Sequence, residues 1–142
     1  MTREGSCSCG AVRYAIDGPV RDVVVCHCDA CCKATGGPWS ASAARRQDLT
    51  VEDPGALIWE RADVSEHGAS RGSCRTCRSS LFWDAPGRET ISFGVTTLSD
   101  ASGLEVAGHI WLTAPGSRGV LLGGTPTYTE GLPPAAAIPW RA

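Results

Sequence analysis

The cysteines constrain this chain more than any other residue type. Eight of them fall into three tight groups: Cys7-Ser8-Cys9, then Cys26-His27-Cys28-Asp29-Ala30-Cys31-Cys32, then Cys74-Arg75-Thr76-Cys77. Thiols this close suit a metal ion, because a CxC or CxxC turn lets two thiolates reach one ion at about 2.3 Å each, half of a tetrahedral set. The competing use of paired cysteines is a disulfide framework, which belongs to short secreted chains. This chain has 142 residues, and Met1 to Cys7 contain no apolar run of the kind an export signal needs. The reading is therefore a cytoplasmic protein whose reduced thiols hold metal.

The first and last groups together supply four thiolates, Cys7, Cys9, Cys74 and Cys77, enough for a closed site of the structural type. Joining Cys9 to Cys74 closes a long loop at about 4 kcal/mol. A structural zinc returns on the order of 10–16 kcal/mol, so the metal wins. A redox CxxC usually opens a helix after a strand. Here Cys77 is followed by Arg78-Ser79-Ser80 and then the apolar Leu81-Phe82-Trp83, which favours metal. The middle group offers three thiolates, Cys26, Cys28 and Cys31, and a three-ligand site with an open position is the catalytic type. Cys32 stays open between three roles: fourth ligand, reactive thiol and buried small hydrophobe. His27, between two ligands, points away from the ion or shuttles protons. His109 reads as structural and His67 as a solvated loop residue.

Composition narrows the class further. With 13 basic and 15 acidic residues, a net charge of -2 leaves no surplus for a nucleic-acid backbone. No apolar run reaches the length of a membrane span. No nucleotide-binding glycine pattern or Ser/His/Asp arrangement is apparent. Arg45-Arg46 is a basic pair, either a solvated turn or a receiver for a substrate carboxylate.

The rest of the chain reads as short strands. Val12, Tyr14 and Ile16 alternate with polar or small residues, and Val23 to Val25 deliver Cys26. One or two helical turns fit Asp29 to Thr35 before Gly36-Gly37-Pro38 stops them. Further strands are expected at Trp39 to Ala44, Leu49 to Val51, Ala56 to Glu60, Leu81 to Trp83, Thr90 to Phe93 and His109 to Leu112. Such spacing argues a mainly antiparallel β domain with little helix. Trp39, Trp59, Trp83 and Trp111 are expected in or near the core, with Trp39 a candidate pocket wall. One domain is expected over residues 1–122, with an extended or loosely packed tail over 123–142.

These features resemble the glutathione-dependent formaldehyde-activating enzyme family, which includes the centromere protein V-like proteins. The resemblance rests on Gly5-Ser6-Cys7-Ser8-Cys9-Gly10-Ala11-Val12-Arg13-Tyr14, on Cys26-His27-Cys28-Asp29-Ala30-Cys31 with Gly36-Gly37-Pro38-Trp39, and on Cys74-Arg75-Thr76-Cys77 with Leu81-Phe82-Trp83. Leu98-Ser99-Asp100 and His109-Ile110-Trp111 continue it. It implies an Mss4-like, tent-shaped β fold. It also implies two Zn2+ ions per chain: a structural one on Cys7, Cys9, Cys74 and Cys77, and a second on Cys26, Cys28 and Cys31 at an active site. The implied activity is carbon–sulfur lyase chemistry, the reversible joining of formaldehyde to a small thiol. The chain departs from the family at Cys32, where Arg or Gln is usual, and in 115–120, which lacks an expected tryptophan. It departs again at Ser73, usually aromatic, and at Arg78, usually glycine; Arg78 implies modest strain or an altered knuckle geometry. The rival reading is a non-enzymatic binding module in which both ions are structural.

Overall fold

The computed structural model describes residues 2–53, 55–62, 68–112, 125–134 and 136–142. Twelve strands and one α-helix appear among them: β1 (Thr2–Ser6), β2 (Arg13–Asp17), β3 (Val20–Arg21), β4 (Val23–Cys26), α1 (Asp29–Thr35), β5 (Trp39–Arg45), β6 (Leu49–Glu52), β7 (Leu57–Arg61), β8 (Ser70–Cys74), β9 (Ser80–Asp84), β10 (Thr90–Gly94), β11 (Val106–Ile110) and β12 (Trp140–Arg141). Two 3-10 turns, Arg46–Asp48 and Val95–Thr97, complete the set. The mainly antiparallel β architecture with little helix is what the sequence leads one to expect.

Two sheets form. The smaller runs β1-β2-β6, and the larger runs β11-β4-β5-β10-β9-β8-β7, with β3 joined to β5 and β12 joined to β3. Pairing is antiparallel except between β11 and β4. The alternation of Tyr14 and Ile16 buries both while Arg13 and Asp17 face solvent. Their buried face meets Leu81, Phe82, Ile91 and Phe93 of the larger sheet, and Tyr14 packs edge-on against Phe82 at 5.2 Å between ring centroids. Burial of apolar area on this scale is the main driving force of the fold. Cys7 and Cys74 lie within the same core, one at the exit of each sheet.

β8 escapes a pattern reading, since Ser70-Arg71-Gly72-Ser73 has no apolar alternation. Its glycine is used for close approach: a Cβ at Gly72 would stand 3.0 Å from the Trp59 ring. Trp59 lies over that glycine and is 45% exposed, and Trp111 is 43% exposed. Both are more exposed than a core residue, although Trp59 stacks on the buried Phe82 at 6.1 Å between ring centroids. Trp59 is on the edge strand β7, and Trp111 follows the last residue of β11 in a left-handed conformation, φ 57°. Trp39 is buried.

The expected boundary after residue 122, the segment 115–120 and His67 all lie outside the described residues. Beyond the boundary the described chain is mostly without regular structure, and hydrogen bonds fasten it along both 126–130 and 139–142. Thr127 bridges to His109, and Trp140–Arg141 pairs with Val20–Arg21. The Arg141 guanidinium reaches the buried Asp22 carboxylate at 2.6 Å. Its hydrogen bond is the main reason that Asp22 titrates below the usual carboxylate range. Arg141→Ala leaves that buried charge unpaired and is expected to lower stability in denaturant unfolding at pH 7. Because the folded pKa is depressed, this stabilisation is full above the unfolded value near 3.9 and is lost as pH falls through the folded one. The gap between wild type and variant should therefore be constant from pH 7 to 5 and close below about pH 4. A gap unchanged at pH 2.5 would reject the ion pair as its source.

Candidate metal centres

Both knuckles of the first cluster are backbone turns that set their sulfurs in place. After β1, the Gly10 amide donates to the Cys7 carbonyl at 3.1 Å, and Gly10 has φ 79°. After β8, the Arg78 amide donates to the Cys74 carbonyl at 2.9 Å, and Arg78 has φ 63°. The same left-handed step ends both turns. The strain expected at Arg78 is present, because a side chain there crowds the following carbonyl.

The sulfurs of Cys7, Cys9, Cys74 and Cys77 all lie within 4.8 Å of one another. Cys7 to Cys9 is 3.6 Å and Cys9 to Cys74 is 3.7 Å. Four sulfurs at about 2.3 Å from one tetrahedral ion stand about 3.8 Å apart, so the donor set fits zinc. All eight cysteines are free thiols rather than disulfides. Backbone amides already face the sulfur, as Val12 N–H does Cys7 Sγ at 3.3 Å. The Ser79 hydroxyl, above all, draws the Cys77 thiol down to about 5.

The second cluster is local. β4 ends at Cys26, Cys28 caps α1, and Cys31 lies in its first turn, with the Cys31 amide donating to Cys28 Sγ at 3.3 Å. The three sulfurs lie within 4.8 Å of one another. Hydrogen bonding from Cys26, then from Cys31, pulls the Cys28 thiol down to about 2, while Cys26 is pushed up by the same contact with Cys28. Helix geometry turns neighbouring side chains apart, and Cys32 accordingly stays out of the cluster. Its thiol points to the His27 carbonyl at 3.7 Å, buried.

Two contacts had no signal in the sequence. Arg71 of β8 is buried, donates to Cys31 Sγ at 3.2 Å and lies 5.0 Å over the Trp39 ring. It places a fixed cation beside the middle cluster. His27 Nε2 meets His109 Nδ1 at 2.9 Å, although the two are far apart in the chain. Burial first, then His27, lowers the His109 pKa. The Arg45-Arg46 pair is consumed internally: Arg45 binds Asp48 at 3.1 Å and Arg46 pairs with Asp84, so the turn reading holds.

A crystal structure of a Rhodobacter sphaeroides protein is similar, with a TM-score of 0.56 at 24% identity over 70% of this chain and 91% of that one. At that identity the likeness speaks for the fold alone. A search of curated proteins gave no match. The profile of the glutathione-dependent formaldehyde-activating enzymes matches residues 2–114, a span that takes in all three cysteine groups and both sheets' contributions to them. On that match, the chain belongs to the glutathione-dependent formaldehyde-activating enzyme family.

Proposed function

We propose that this protein is a zinc-dependent carbon–sulfur lyase that joins a small thiol, glutathione or an equivalent, to formaldehyde or another small aldehyde and reverses the step. The observation that carries the reading is the cluster of Cys26, Cys28 and Cys31 with Cys32 turned to a backbone carbonyl. Three protein donors leave a fourth position for substrate; four would close the site. When bound there, zinc supplies a place for a thiol as thiolate and polarises an aldehyde oxygen. Three thiolate donors make the site selective for soft sulfur. Arg71, by donating to Cys31, fixes that sulfur and offsets part of the negative charge. Trp39 packs with Cys31 and against Cys26 and Cys28, with Trp83 beside them, which shields one side of the cluster from water. The other four cysteines would hold a structural zinc that carries no chemistry. Free thiols throughout fit the reducing cytoplasm, and no helix among the described residues is long and apolar enough to cross a membrane.

Metal analysis with a turnover assay tests the reading. Protein purified without added metal should carry two zinc ions per chain, and it should form the formaldehyde–glutathione adduct above the spontaneous rate. Two zinc ions with no acceleration for any small thiol would leave a zinc-stabilised binding module.

A further inference from the structure

Strand β8 serves both metal centres, one from each face. Residues of opposite parity in a strand point to opposite sides of the sheet. Cys74 enters the main core as a donor of the four-cysteine cluster, and Arg71, earlier in the same strand, emerges on the other side. There its guanidinium donates to Cys31 Sγ at 3.2 Å and to the Ser80 hydroxyl at 3.4 Å, and it lies 5.0 Å over the Trp39 ring. Its register partner on β7 is Glu60, an exposed carboxylate. Among the described residues no ion pair joins the two, and the guanidinium is turned to sulfur instead.

A buried guanidinium is costly unless an anion compensates it. Of the three groups that Arg71 touches, a sulfur, a hydroxyl and an indole, only the sulfur can carry a negative charge. The same pairing acts in reverse on the cluster. Three thiolates around a divalent ion leave one net negative charge, the ion's own charge included. A fourth thiolate raises that to two, whereas a neutral donor such as an imidazole leaves it at one. A cation 3.2 Å from a donor sulfur, in a partly buried site of low polarisability, therefore favours the anionic newcomer over the neutral one. Cys28 takes its hydrogen bond from the Cys31 backbone amide at 3.3 Å, which carries no net charge. Cys31 takes its own from a charged side chain on a distant strand.

We propose that Arg71 is a positioning residue that acts through Cys31 to set the charge preference of the fourth metal position, for an anionic sulfur and against a neutral donor. This rests on the open position read above for Cys26, Cys28 and Cys31, and not on formaldehyde being the second substrate. Side chains that hydrogen-bond a metal ligand tune the metal through that ligand, and losing one changes affinity by about ten- to a hundredfold.

The full chain loaded anaerobically with cobalt(II) reports the occupant of the middle site by its visible absorption, over a constant background from the closed four-cysteine site. Two probes separate charge from mere access: 2-mercaptoethanol, which ligates as a thiolate, and imidazole, which ligates as a neutral donor. Wild type should bind both. Arg71→Met and Arg71→Gln should each lower the mercaptoethanol-to-imidazole affinity ratio by about tenfold or more, the second while keeping an N–H donor. Arg71→Lys should keep the ratio near that of wild type, because the ammonium restores the charge without the fork. Equal weakening of both probes in Arg71→Met, or a wild-type ratio in Arg71→Gln, would overturn the proposal and leave Arg71 a structural residue. Should Arg71→Met fail to fold, equal ratios in Arg71→Gln and Arg71→Lys would overturn it as well. Wild type that holds two cobalt ions and binds neither probe has no open position, and the proposal falls with that reading. If the ratios follow the expected pattern but formaldehyde turnover is absent, the lyase reading fails and the role of Arg71 stands.

Discussion

Cys74→Ser is expected to unfold the domain and release its zinc. Cys74 is fully buried in the main core, and its sulfur belongs to a cluster drawn from the exits of β1 and β8, strands that lie in different sheets. Removing one donor therefore detaches the two sheets as well as the ion. Zinc binding of this kind is worth on the order of 10 kcal/mol, as much as the whole net stability of an ordinary domain, about 5–15 kcal/mol. Circular dichroism and metal content check it together. A Cys74→Ser protein that kept two zinc ions and the wild-type Tm would refute the four-cysteine assignment.

The second large effect is on chemistry rather than folding. Cys31→Ser should remain folded, since Cys26, Cys28 and Cys31 come from β4 and α1, which are consecutive in the chain, and close no long loop. It should nonetheless lose one zinc and reduce adduct formation to the spontaneous rate. On the proposed function, capture of a glutathione thiol by the wild type would exchange a proton for the metal, so thiol-dependent affinity should rise about tenfold per pH unit below the thiol's pKa, near 8.5–9. Cys32→Ala should leave zinc content, affinity and turnover in place, because its sulfur lies outside the cluster. Loss of the second zinc in Cys32→Ala would make Cys32 a ligand and turn the site into a closed, structural one.

The parts legible in the sequence were those governed by short-range rules. Alternation placed Tyr14 and Ile16 inward because successive strand residues face opposite ways. Val23 to Cys26 and the glycine stop after Thr35 followed from local propensity. The cysteine spacing foretold which sulfurs meet, since a two- or three-residue turn fixes both sulfurs of a pair regardless of the rest of the fold. What escaped depended on distant partners. β8 is a strand because β7 and β9 flank it, not because Ser70 to Ser73 favour one. β3 and β12 are two-residue strands held by pairing at the chain's far end.

The sequence by itself determined the paired sulfurs of each knuckle, the middle trio and the mainly β class of fold, because each depends on residues within a few positions of one another. Tertiary structure alone decided what surrounds those donors. It brought Arg71 onto Cys31 and His109 onto His27, set Cys9 beside Cys74, and drew a cleft from β1, α1, β5 and the turn after β10. These are contacts between segments tens of residues apart, and no local pattern encodes which strands will lie side by side. They follow only once burial of the core has chosen the arrangement of the sheets.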